Sequence, residues 1–292
     1  MILASFMGWP TSAVAGLPGG ASYALIGVGL VLLYRMGGVV SFTQGSIGVF
    51  GAVVFVNWVQ GGQPLLLALL GGLVLSALIG GAIGWVMARW FLDKSMMIRS
   101  AVTIALSVSL SALALRIFGS GSLFFPFLLP TAHVKIASVI VPGNTLLAVA
   151  LAVGLGVALW ALLKWTRVGI WLRALSERAP TAELLGVPVR GLTVGLWAFS
   201  GALAALAVVL IAPTHQTDVG DLGTVVIEAL AAALIGSFRS FALTIVGGIA
   251  IGVFESMATA SSLAPYSSMV ALLVIVAVLL WSRRGDVWNE AR

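Results

Sequence analysis

Leu65–Trp90 reads LLLALLGGLVLSALIGGAIGWVMARW. Twenty-four residues pass before its first charge, Arg89. About 20 apolar residues suffice for a helix to cross a bilayer. Comparable runs cover about Ala13–Tyr34, Gly37–Val56, Ile98–Phe118, Asn144–Lys164, Leu192–Ala212, Thr224–Phe238, Phe241–Ala258 and Pro265–Trp281. These runs predict an all-α polytopic membrane bundle of eight or nine spans. The count turns on Gly37–Val56, which holds Ser41, Thr43, Gln44, Gly45 and Ser46. It reads either as a whole span or as a broken, half-length helix. Backbone freed by such a break is tolerated only against protein or a water-filled cavity.

Composition agrees. Of 292 residues, 61% are hydrophobic and 8% charged, against roughly 25% charged in soluble domains. Mean hydropathy is +1.16. Eight or nine spans use about 160 to 180 residues, so residues 1–292 form a single transmembrane domain with short loops. The chain has no cysteine, which excludes disulfides, thiolate metal sites and Cys nucleophiles. Met1–Trp9 has no basic n-region, so no cleaved signal peptide is expected.

Cytoplasmic loops carry an excess of Lys and Arg. If Lys164–Arg190 is cytoplasmic, alternating spans bring Arg35, Arg89, Lys94, Arg99, Arg239, Arg283, Arg284 and Arg292 to the same side. Thirteen of the fifteen basic residues then lie inside, leaving Arg116 and Lys135 outside. The loop after Ala212 carries Asp218 and Asp221 and no Lys or Arg. The expected topology is N-out, C-in, with nine crossings. This placement accounts for the pI near 10.5 without nucleic acid. Trp58, Trp90, Trp160, Trp165 and Trp281 fall near expected span ends, as an interfacial belt would. Gly16/Gly20, Gly80/Gly84 and Gly248/Gly252 are GxxxG pairs, whose small residues let helix backbones approach closely.

The two histidines, His133 and His215, fall in expected outer loops, and no HExxH motif or triad is visible. None of the three lysines ends a GxxxxGK[ST] phosphate loop. ATP and Mg, if used, belong to partner chains, and this chain needs no cofactor of its own. Glu228 and Glu255 are the two acids inside expected spans. A carboxylate in hydrocarbon costs at least about 2.5 kcal/mol on insertion scales. Each is either a packing or interface acid, or lines a translocation path, with a gating pair to a basic residue as one form. Arg116 either snorkels or gates.

The loop at about 165–190 contains RALSERAPTAELLGV, Arg173–Val187. Pro180 suits the first turn of a short helix. Gly186 suits its end, and Pro188 prevents continuation. Ala182, Leu184 and Leu185 then offer an apolar face, for docking a soluble partner or for the lipid interface.

Four stretches resemble branched-chain amino-acid ABC permeases of the LivH type. Gly16–Gly45, GLPGGASYALIGVGLVLLYRMGGVVSFTQG, is similar to the family's opening pattern NGL..G..YAL.A.GL.LIYG..GV.NFAHG. The loop RVGIWLRALSERAPTAELLGVPV resembles RMGRA.RA..ED...A.LLGI.V. Ala198–Pro213 resembles the span that follows that loop. Ala229–Glu255 resembles the family's Ala/Gly-rich pair of spans with a terminal Glu. Two departures lean toward the sister LivM type: Ser41, Phe42, Thr43, Gln44 and Gly45 replace NFAHG, and Glu228 stands where many LivH-type chains have Lys. Relatives also handle urea, amides and other amino acids.

The resemblance implies a permease subunit of a binding-protein-dependent importer in a bacterial or archaeal cytoplasmic (inner) membrane. The chain would not be an enzyme itself. An extracytoplasmic binding protein would deliver solute to a path formed with a second permease of the LivM type. Two cytosolic ATPases would drive it. Arg173, Glu177, Ala182, Leu184, Leu185 and Gly186 would belong to the helix seated on an ATPase. Ser41, Thr43 and Gln44 are expected in the path, where hydroxyl and amide groups offer transient hydrogen bonds. Helix–helix hydrogen bonding is their alternative role. The competing function is an ion-coupled secondary transporter using Glu228 or Glu255.

Overall fold

The computed structural model describes residues 9–119, 121, 123–130, 132–136, 139–177, 179–214 and 222–289. Arg178, His215, Asp218, Asp221 and Arg292 lie outside the described residues.

The chain folds into a bundle of helices with one small hairpin. In order come α1 (Trp9–Ala15), α2 (Leu17–Gly37), α3 (Gln44–Gln60), α4 (Leu65–Trp90) and α5 (Met96–Phe118). The hairpin strands β1 (His133–Ile136) and β2 (Val139–Pro142) follow. Then come α6 (Gly143–Trp165), α7 (Arg167–Glu177), α8 (Ala179–Leu184), α9 (Val189–Ile211), α10 (Val226–Ile235), α11 (Phe241–Thr259) and α12 (Met269–Asn289). Six helical stretches among the described residues are long and apolar enough to cross a membrane: Pro10–Gly37, α4, α5, α6, Val189–Thr214 and α11. The small antiparallel hairpin pairs His133 with Pro142, and the fold is otherwise the expected all-α bundle.

Two of the expected spans take another form. The run Gly37–Val56 is not one helix. Gly38, at φ 62°, ends α2 in a left-handed cap and donates its N–H to Tyr34 O. Residues 38–43 are non-helical, and α3 begins only at Gln44. The run Thr224–Phe238 holds just the ten residues of α10. At 1.5 Å per residue that is about 15 Å, half a hydrocarbon core. Its end is set by a turn in which Ser237 (φ 50°) and Phe238 (φ 51°) are both left-handed.

Helices α2 and α9 form the centre. α2 packs against α11, α9, α10 and α6, while α9 packs against α4, α2 and α3. The glycine pairs explain the close approach. Gly16, just before α2, and Gly20 within it face Gly252 and Gly248 of α11. A Cβ at Gly20 would lie 2.7 Å from Ile249 Cα, and one at Gly248 2.7 Å from the backbone nitrogen of Ala24. Gly80 and Gly84 of α4 instead receive Trp197 of α9, which is 1% exposed. That tryptophan is core. Trp58, Trp90, Trp160, Trp165 and Trp281 are all exposed on the outside of the bundle, as interfacial anchors would be.

Contacts sort the helix ends into two sets. Arg35 donates to Arg239 O at 3.4 Å, and Arg99 donates to Gly37 O at 2.8 Å. One cavity brings together Gly37, Lys94, Arg99, Glu177 and Thr193. The C-terminal end of α2, both ends of the α4–α5 turn, the end of α7 and the start of α9 therefore share one end of the molecule. At the other end Ser256 donates to Ser12 O at 2.8 Å, and Ser12 shares a cavity with Thr214 and Thr259.

Candidate translocation path and docking surface

The break before α3 is a closed polar knot. Ser41, Thr43 and Gln44 are fully buried. Ser41 Oγ and Thr43 Oγ1 lie 3.0 Å apart, and Gln44 Nε2 donates to Ser41 Oγ at 3.3 Å. Gln44 Oε1 is buried without a hydrogen-bond partner. An unpaired buried acceptor costs about 1–3 kcal/mol. In this conformation the three side chains line no open cavity. Ser46 bonds across to α5: its Oγ lies 2.8 Å from Ser111 Oγ and 3.2 Å from Ser107 Oγ. The extended segment is also held by Thr103 of α5, which accepts from Phe42 N–H at 3.3 Å.

The starts of the two short helices meet. A Cβ at Gly45 would fall on the Gly223 carbonyl oxygen and 3.3 Å from Val226 Cβ. Only glycine permits this approach. Glu228, in the first turn of α10, has one carboxylate oxygen buried without a partner.

Glu255 sits in the last turn but one of α11 and accepts a hydrogen bond from Tyr23 Oη at 2.7 Å. Tyr23 is 4% exposed and is a site residue that the sequence disclosed only as part of a motif, because its partner lies 232 positions away. Glu255 opens onto a cavity of about 360 Å³ with Ser12, Gly19, Thr214, Ser256 and Thr259. Among the described residues no Lys or Arg lines it, and the partner of Glu255 is Tyr23. Among the described residues no three His, Asp or Glu side chains come together as a metal site. Arg116 is exposed near the end of α5, the position a snorkelling residue occupies.

At the arginine-rich end, α6 turns into α7 at Thr166. Its hydroxyl donates to Leu162 O at 2.7 Å and accepts from Gly169 N–H at 3.1 Å. α7 buries Gly169, Leu172 and Leu175 against the bundle. Arg173 is exposed and donates back to Gly169 O at 3.3 Å. Pro180 falls in the first turn of α8. Gly186, at φ 83°, closes the turn after it, and Val187 N–H donates to Ala182 O at 3.0 Å. Leu184 and Leu185 are 89% and 78% exposed. Ala182 is 2% exposed and does not share their outward face. With Glu177, Thr181 and Leu185 it lines a cavity of about 350 Å³. Glu177 borders a second cavity, of about 410 Å³, with Lys94 and Arg99.

A family model described as the branched-chain amino acid transport system permease component matches residues 12–279. A probable branched-chain amino acid transport permease protein LivH of Methanocaldococcus jannaschii is 27% identical, over 89% of this chain and 87% of that one. The high-affinity permease protein LivH of Escherichia coli K12 is 23% identical over 91% of each chain. The permease protein BraD of Pseudomonas aeruginosa is 24% identical over 93% of each. A solved chain titled PsaBC from Streptococcus pneumoniae in complex with Fab aligns with a TM-score of 0.49 and 13% identity, over 96% of this chain and 95% of that one. With the match running over nearly its whole length, this chain belongs to the branched-chain amino acid transport system permease family, and it is a multi-pass membrane protein.

Proposed function

We propose that this chain is a membrane subunit of a binding-protein-dependent ABC importer for branched-chain amino acids. It forms part of the solute path and takes its energy from separate ATPase subunits that bind ATP and Mg. The observation that carries this reading is the pair Leu184 and Leu185, exposed at the end of the six-residue helix α8 at the arginine-rich end. Two bare leucines next to a groove bordered by Glu177 suit insertion into a soluble partner. Exposed apolar anchors of this kind dominate interface energetics when they fill a pocket.

In this reading α8 is the coupling helix and the arginine-rich end faces the cytoplasm. The chain crosses nine times, from an outer N-terminus to an inner C-terminus. One crossing combines the non-helical segment 38–43 with α3, and another uses the ten-residue helix α10. Irregular backbone at membrane depth is acceptable where protein surrounds it, and the burial of Ser41, Thr43 and Gln44 supports that. The polar knot and the two glutamates belong to the path, with Ser41, Thr43 and Gln44 becoming accessible when the helices separate. The second permease is of the LivM type, and a binding protein delivers solute to the end that holds Glu255.

Leu185→Asp tests the reading. The variant should insert and elute as the wild type does, because Leu185 is 78% exposed, yet lose copurifying phosphate-loop ATPases. Undiminished copurification and solute uptake would remove α8 from the coupling role.

A further inference from the structure

At the arginine-rich end, α2, α6, α7 and α9 enclose a groove of about 210 Å³. Its walls are apolar: Leu32 of α2, Leu159 and Leu162 of α6, Leu172 of α7, and Leu196 and Phe199 of α9. Phe199 and the lining residue Val168 are exposed, so the groove opens to the surroundings of the bundle. Gly191 and Gly195 of α9 also line it, and a Cβ at either would meet nothing within 4 Å. These glycines widen the groove rather than admit another helix of this chain. From Gly191 to Phe199 the lining runs about 12 Å along α9, at 1.5 Å per residue. That is most of one leaflet, which is half of a hydrocarbon core about 30 Å thick.

The charge around the groove has one sign. Lys164 lies two residues beyond Leu162, Arg167 immediately before Val168, and Arg190 immediately before Gly191. All three are exposed. Aromatic faces hold Lys164, whose Nζ lies 4.8 Å from the Trp160 ring centroid and 5.9 Å from that of Trp165. Such a contact orients an ammonium without neutralising it. α2, α6 and α9 contain no Asp or Glu, and the one acid of α7, Glu177, lines two other cavities. Trp160 and Trp165 belong to the interfacial belt, which sets these cations at headgroup depth and the leucines at acyl-chain depth. Basic residues at such a crevice between helices attract anionic headgroups, and an apolar groove one leaflet deep suits a hydrocarbon chain. A soluble anion would make no use of the leucines, and a neutral lipid none of the cations. We infer that this groove binds an anionic phospholipid of the leaflet at that end, one acyl chain lying along α9 and the phosphate against Lys164, Arg167 and Arg190. The lipid bridges α6 and α9 across α7, and so braces the helix that leads to α8. The inference rests on the chain's place in a membrane, not on its coupling to ATPases.

Native mass spectrometry of the full chain, in mild detergent with whatever subunits accompany it, reads the affinity of each added lipid. The probes are dioleoylphosphatidylglycerol, dioleoylphosphatidylcholine and, as the headgroup without chains, glycerol 3-phosphate. The phosphatidylglycerol should bind at least tenfold tighter than the phosphatidylcholine, and glycerol 3-phosphate should not displace it. Lys164→Gln and Arg167→Gln should each weaken phosphatidylglycerol about fivefold, the worth of one basic residue at a membrane surface, and leave phosphatidylcholine unchanged. Gly195→Leu fills the groove at a position where its Cβ has open space, so the fold is kept. It should lower phosphatidylglycerol binding at least tenfold, and Gly191→Leu should repeat the effect. Equal affinity for the two lipids, displacement by glycerol 3-phosphate, or a preference that survives both glycine variants would overturn the assignment. So would loss of a copurifying second permease, in place of lipid, from Gly195→Leu. No ATPase enters the measurement, so a Leu185→Asp result that removed the importer reading would leave this one standing, and the reverse also holds.

Discussion

At the scale of single residues, buried polar atoms separate working groups from packing groups. Gln44 spends its amide nitrogen on Ser41 and keeps Oε1 unpaired in a fully buried setting. A purely structural glutamine would satisfy both ends. Gln44→Ala should therefore lower uptake by the assembled complex about tenfold while costing only about 1 kcal/mol, the net worth of one hydrogen bond. Proteoliposome kinetics beside thermal melts separate the two effects, and unchanged kinetics would make Gln44 a packing residue. The sequence disclosed Ser41, Thr43 and Gln44 as out of place in an apolar run. It did not disclose that they bond to one another, nor that the contact to α5 belongs to Ser46. Tyr23 escaped notice as a functional residue because nothing local distinguishes it. Only the packing of α2 on α11 brings it to Glu255.

At the scale of elements, two features of α10 and α2 have measurable consequences. The turn after α10 places Ser237 and Phe238 in left-handed conformations, which costs a non-glycine residue roughly 1–2 kcal/mol. Ser237→Gly should raise the melting temperature in detergent by relieving about 1 kcal/mol of this strain; a lowered melting temperature would show that the serine side chain outweighs the strain. The α2–α11 contact has no room for a side chain at Gly252, where a Cβ would lie 2.5 Å from Gly20 Cα. Gly252→Val should destabilise by at least about 1–3 kcal/mol, the usual cost of overpacking, and an unshifted melt would contradict the packing described. The GxxxG spacing signalled close helix packing in advance, but not that α2 meets α11. The shortness of α10 was not legible, because Glu228 is the one charge in the largely apolar run Thr224–Phe238, and hydropathy does not register where backbone leaves the helix. The β1–β2 hairpin was likewise hidden in a stretch with no alternating pattern long enough to read. Gly186 and Pro188 marked the end of α8 correctly, while the inward turn of Ala182 depended on how α7 docks.

For the whole molecule, the arginines supply the sense of direction. Arg35, Lys94, Arg99 and Arg239 meet at one end through contacts made by four different helix termini. The charge bias in the sequence anticipated that grouping, since basic residues avoid the translocated side. The chain has no cysteine, so single substitutions report sidedness without background. In intact spheroplasts a membrane-impermeant maleimide should label Thr259→Cys readily and Leu184→Cys only after permeabilisation. The opposite pattern would invert the proposed topology. The central claim is tested most directly by a mild-detergent pull-down of this chain from its native membrane, with partners identified by mass. The account predicts recovery of two phosphate-loop ATPases, a second permease and a binding protein. Recovery of the chain alone, still active in uptake that an uncoupler abolishes, would contradict it and turn attention to Glu228 and Glu255 as an ion site.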